Sequence, residues 1–82
     1  MGKFENIQSE ILGSASDRNI AFSDLRYFLE QLGFDLRIKG DHFIYTKEGV
    51  TEIINIQPNA SKAKAYQVKQ VRKLILKYRM TR

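Results

Sequence analysis

The apolar residues change their spacing twice along the chain, and that change bounds what it can fold into. Leu25, Phe28, Leu29 and Leu32 recur at helical intervals. Phe34, Leu36 and Ile38 then alternate with Asp35, Arg37 and Lys39, the period of a half-buried strand. Helical spacing returns through Val68, Val71, Leu74, Ile75 and Tyr78. With 82 residues in all, these segments must share one small core.

Local signals divide the segments. Ser23 is placed to cap the second helix, Asp24 suits its positive N-terminal end, and Gly33 suits a left-handed stop. Phe22 and Tyr27 have the spacing of a hydrophobic staple. The turn Gly40-Asp41 leads into an aromatic and β-branched strand, His42 to Lys47. Glu48-Gly49 then closes a hairpin into a third strand, Val50 to Gln57. Pro58 cannot donate to a ladder and ends the sheet, NASKAK follows as a loop, and a helix runs from Tyr66 to Tyr78.

Upstream, Phe4, Ile7, Ile11 and Leu12 keep helical spacing from Lys3 to Leu12, with Gly13 as the stop. The small, polar GSASDRN from Gly13 to Asn19 reads as a linker that sets this helix apart. The chain thus divides into a helix and linker over residues 1–19 and a domain over 20–82. The order is α-α-β-β-β-α. Three antiparallel strands with one polar face need cover on the other, which predicts a two-layer α+β sandwich with an extra N-terminal helix.

There are no cysteines, which excludes a disulfide framework, a thiolate zinc site and a thiol nucleophile, and fits a reducing, intracellular setting. No apolar run approaches the roughly 18 to 20 residues of a membrane span, and MGKFENIQSE lacks a signal-like apolar core. A soluble, cytoplasmic protein with no membrane partner is expected. Residues 1–61 carry six basic and nine acidic side chains, 6 − 9 = −3, whereas residues 62–82 carry eight basic and no acidic ones, +8. Such asymmetry points to a polyanionic partner such as nucleic acid or an acidic protein; a solvated, lysine-rich helix face is the plainer alternative.

The chain has no phosphate-binding glycine loop, no paired-histidine metal motif and no Ser/His/Asp signature. With one histidine and no cysteine, neither a metal nor another cofactor is expected. The stretch KGDHFIYT holds that histidine, His42. Imidazole takes and gives protons near neutrality, which suits RNA cleavage. There a base activates the 2′-hydroxyl against the adjacent phosphorus, an acid protonates the leaving 5′-oxygen, and a cation stabilises the phosphoryl charge. Lys39 or Lys47 can counter that charge, and Tyr45 is a conceivable second proton donor. Strand alternation, however, puts Tyr45 and Lys47 on the face opposite His42, which favours Lys39. The structural reading takes His42 as a packed or exposed polar residue, and Tyr45 and Phe43 as core.

Three segments carry a resemblance. LEQLGF (Leu29 to Phe34), KGDHFIYTKEG (Lys39 to Gly49) and KAYQVKQVRKLILKY (Lys64 to Tyr78) are similar to the pattern of the HicA family, the toxin half of HicBA toxin-antitoxin systems. The likeness covers Ile20 to Tyr78, with the first helix as an extension. It implies a double-stranded-RNA-binding-domain-like α-β-β-β-α fold, and an mRNA interferase, that is, a metal-independent endoribonuclease with His42 essential. It also implies a HicB-type antitoxin as partner and a monomeric free toxin.

Combined with the charge pattern, the resemblance gives Lys39, Gly40, Lys47, Lys62, Lys64, Lys69, Arg72 and Lys73 as the expected RNA-binding set. The chain departs from the family pattern at Asp41, where Ser or Gly is usual, and at Phe43, where many members have a basic residue or histidine. Asp41 either weakens phosphate binding, or orients His42 by accepting a ring N–H or holds it protonated as an acid. The competing readings are a non-catalytic RNA-binding module and a degenerate toxin that mainly binds its antitoxin.

Overall fold

The computed structural model describes residues 2–13, 17 and 19–80. Its elements are α1 (Lys3–Gly13), α2 (Phe22–Gln31), β1 (Asp35–Lys39), β2 (His42–Lys47), β3 (Val50–Ile56), β4 (Pro58–Asn59), β5 (Lys62–Ala63) and α3 (Ala65–Tyr78). The fold is α+β, and a three-stranded antiparallel sheet of order β1-β2-β3 stands between α2 and α3 in the chain. Of the linker read over Gly13 to Asn19, residues 14–16 and 18 lie outside the described residues, as does Arg82 of the basic segment. No described helix is long and apolar enough to cross a membrane.

Alternation along the strands sorts the sheet's two faces. Tyr45, Ile54 and Ile56 are buried beneath the helices, with Leu36 and Phe43 packed partly against them. His42, Ile44 and Thr46 point to the open face. The register pairs Lys39 with His42, Arg37 with Ile44, and Ile44 with Asn55. A bulge interrupts β3: Tyr45 pairs with Ile54 but Lys47 with Val50, so Thr51, Glu52 and Ile53 stand opposite Thr46 alone. Ile38, read as part of the apolar face of this strand, is 55% exposed, because it lies near the end of an edge strand.

Gly33 ends α2 as the sequence suggests. At φ +94° it occupies the left-handed region, its N–H donates to Glu30 O, and the Phe34 N–H donates to Leu29 O. That is a Schellman closure with Phe34 and Leu29 both buried. The other end differs from expectation. Ala21, not Ser23, is the N-cap, and no side chain caps it. The Phe22 N–H donates instead to Ser61 O at 3.0 Å, and Ala21 bridges Lys62. The backbone of Ser61 thus satisfies one of the N–H groups that the first turn leaves without a partner inside the helix. Phe22 packs edge-to-face on Phe43, with ring centroids 5.1 Å apart.

The segment read as a loop, NASKAK, forms part of a second small hairpin. Pro58 pairs with Ala63 and Asn59 with Lys62, while the Ala63 N–H donates to Ile20 O at 2.9 Å. Pro58 still ends the main sheet. The first helix also joins the core: Phe4, Ile7 and Ile11 are buried, Phe4 stacks on Phe28 at 5.0 Å, and α1 packs on both α2 and α3. Helical spacing over Lys3 to Leu12 thus marks a face with somewhere to go.

Candidate functional site

His42 stands at the first position of β2 because Gly40, at φ +63°, turns the chain back immediately before it. Lys39 is its cross-strand partner on the open face. The side chain of His42 is 44% exposed, so a ligand can reach the ring from solvent. Both nitrogens already have neighbours. Nδ1 lies 3.1 Å from Asn55 Oδ1, and Nε2 lies 3.2 Å from Gln57 Nε2.

Gln57 follows the Phe43–Ile56 pair and so comes level with His42. Its amide donates to both carboxylate oxygens of Asp41 at 3.4 Å, and its Oε1 accepts from Lys64 Nζ at 3.4 Å. Its backbone is held from beneath by Gln67, a buried polar residue of α3. In the orientation that satisfies both ends of that amide, Gln67 accepts from the Gln57 N–H at 3.1 Å and donates to the Gln57 carbonyl at 3.3 Å. Asp41 Oδ1 is 3.8 Å from His42 Nε2, too long for a hydrogen bond. Asp41 therefore reaches the ring through Gln57.

The expected RNA-binding residues fall into three groups. Lys39, Gly40 and Lys64 gather around His42. Lys64 also lines a cleft of about 410 Å³ with Lys62, Asn59 and Tyr66, at the start of α3. Tyr66 is 63% exposed, and Lys69 and Lys73, both exposed, follow it along one helix face. Lys62 donates to Asn19 Oδ1 at 3.3 Å.

Lys47 and Arg72 are placed elsewhere. Lys47 lies on the helix-covered face at the far end of β2, over Gly33, where a Cβ would meet its Nζ at 3.0 Å. Its ammonium thus sits at the negative C-terminal end of α2. Arg72 donates through Nε to Ile11 O at 2.7 Å and pairs with Asp17, and the two side chains are only 17% and 11% exposed. Arg72 fastens α1 to α3, with its Nε and Nη2 already engaged and most of its side chain covered.

Tyr45 is not a proton donor for His42. Buried on the opposite face, its hydroxyl donates to Glu30 Oε2 at 2.7 Å and accepts from Arg26 Nε at 3.1 Å. Burial, then the bond to Glu30, pushes its phenol up to about 12.

Asn55, Gln57 and Gln67 escaped the sequence reading. The parity of β3, which gives Asn55 and Gln57 the face of His42, was the available signal for the first two. Gln67 shares the buried stripe of α3 with Val68, Val71 and Leu74, a polar residue in an apolar series. Among the described residues, no group of three or more His, Asp or Glu side chains is placed to hold a metal ion. No protein family, curated protein or solved structure matches this chain.

Proposed function

We propose that this chain is a HicA-like toxin on a double-stranded-RNA-binding-domain-like fold, acting in the cytoplasm as an endoribonuclease on mRNA and restrained by a HicB-type antitoxin. The observation that carries this reading is a reachable imidazole at the head of a cationic trail. Lys39 and Lys64 flank His42, Lys62 lines the adjoining cleft, and Lys69 and Lys73 continue past Tyr66 along α3. His42 removes the 2′-hydroxyl proton, the 2′-oxygen bonds to phosphorus, and the P–O5′ bond breaks as the leaving oxygen takes a proton from water, after which the imidazolium gives its own proton back to solvent. The products are a 2′,3′-cyclic phosphate and a 5′-hydroxyl. Lys39 and Lys64 stabilise the phosphoryl oxygens as charge builds, and no step calls for a metal.

Induced expression tests it. The wild-type chain arrests growth and cleaves RNA, whereas His42→Ala does neither, with cleavage lowered by roughly 10² to 10⁴-fold. Equal arrest by both, or by neither, overturns the assignment.

The engagement of both ring nitrogens favours a second reading, a non-catalytic RNA-binding module in which His42 is a packed polar residue. It predicts RNA binding without cleavage, and equal affinity for His42→Ala. A chain that binds antitoxin but no RNA would be the degenerate toxin.

A further inference from the structure

We infer that Asn55 and Gln57 are positioning residues that hold His42 as its Nδ1–H tautomer, so that Nε2 is the nitrogen that meets substrate; this rests on the reading of His42 as the reacting group. The inference starts at the outer end of the network, where chemistry leaves no choice. A lysine ammonium only donates and a carboxylate only accepts. Gln57 Oε1 faces Lys64 Nζ, and Gln57 Nε2 faces both oxygens of Asp41. Turning the amide over would set its oxygen against a carboxylate and its NH₂ against an ammonium. Gln57 is therefore fixed with its NH₂ toward His42, and His42 Nε2, 3.2 Å away, must accept. In a neutral imidazole the proton then resides on Nδ1, which donates to Asn55 Oδ1 at 3.1 Å.

The tautomer is thus set by two charged groups that do not bond to the ring. Gln67 supports the arrangement by holding the backbone of Gln57. This also gives Asp41 a defined part, as the residue that turns Gln57. The resting amide covers Nε2, and a phosphate that draws Lys64 away removes one of the two partners that fix it. Substrate binding and exposure of the base are coupled in this way.

Ring ¹⁵N–¹H correlation spectra of the full-length protein read the tautomer directly, since the chain has a single histidine. With the ring neutral, wild type is expected to show Nδ1–H. Asn55→Asp, which keeps an acceptor for Nδ1–H, is expected to retain it. The paired variant Asn55→Leu with Gln57→Leu is expected to revert to mainly Nε2–H, the form free imidazole side chains prefer. Its RNA cleavage should lose roughly 10- to 100-fold in kcat with little change in KM, and Asn55→Asp should keep most of its kcat. An Nε2–H signal in wild type, or Nδ1–H persisting in the folded double variant, overturns the proposal. A wild-type protein with Nδ1–H that cleaves no RNA supports the tautomer assignment and overturns the nuclease reading alone.

Discussion

Tyr45 and His42 are three positions apart on one strand, and pleat alternation sends them to environments that have nothing in common. Tyr45 is the largest side chain in the fully buried core, and its hydroxyl survives there because Glu30 accepts from it and Arg26 donates to it. The raised phenol, about 12 against an ordinary 10, has a definite sign. The protonated form is favoured by folding, so its contribution is fully present below pH 10 and is lost as pH rises toward 12. Tyr45→Phe should cost about 1 kcal/mol at neutral pH through the lost hydrogen bonds, measured by urea unfolding. Wild type should lose stability relative to this variant between pH 10 and 12. A difference absorbance titration, wild type minus Tyr45→Phe, should place the missing phenolate step near pH 12. A step near 10 would mean the phenol is solvated. At the same scale, His42, Lys39 and Lys64 were legible in the sequence because a glycine turn and a lysine cluster announce them. Arg72 was misplaced because its partner Ile11 is 61 residues away, and side-chain charge does not disclose which backbone carbonyl will claim it.

The bulge in β3 gives the C-terminal end of α3 a fastening point on the sheet. Glu52, within the bulge, accepts from Lys77 Nζ at 2.6 Å and from the Tyr78 hydroxyl at 2.6 Å. Those two bonds, the ammonium first, hold its carboxyl down at about 2, below the ordinary 4.5. A depressed carboxylate stabilises the fold above pH 4.5 and stops doing so as pH falls toward 2. Glu52→Gln should therefore unfold at lower urea than wild type at pH 7, with the two midpoints converging between pH 4.5 and 2. The site faces solvent, so molar salt should narrow the gap at pH 7 as well. A gap independent of pH would show that packing rather than charge fastens this end. The bulge itself was not legible: Glu48-Gly49 fixes the hairpin turn, but nothing in a local pattern shows where a strand takes in extra residues. What was legible is parity, and because the slip is two residues, parity survives it. Asn55 and Gln57 share the face of His42 in either register. The start of α2 is joined to the second hairpin by backbone bonds between segments about 40 residues apart in sequence, and helix-capping signals are silent about those.

Across the whole molecule, the +8 segment after residue 61 does not act as one surface. Arg72 is spent on Ile11 and Asp17, and Lys77 on Glu52. Lys69 and Lys73 stand exposed on the outer face of α3, next to Tyr66 and the cleft that Lys62 and Lys64 line. Charge counted in the sequence is therefore divided in the fold between holding α1 and β3 in place and facing solvent. Counterion release separates the two uses, because only cations that meet phosphates contribute to the salt dependence of binding. Against single-stranded RNA, Lys69→Gln and Lys73→Gln should each reduce the slope of log K against log salt by about 0.7, with unfolding midpoints close to wild type. Arg72→Gln should leave the slope as it is and lower stability by about 2 kcal/mol, the scale of a hydrogen-bonded charge lost from a partly buried site. Lys47→Gln belongs with Arg72, since its ammonium lies on the covered face over the end of α2. A slope that falls with Arg72 and is indifferent to Lys69 and Lys73 would move the RNA to the α1 side of the molecule and detach it from His42.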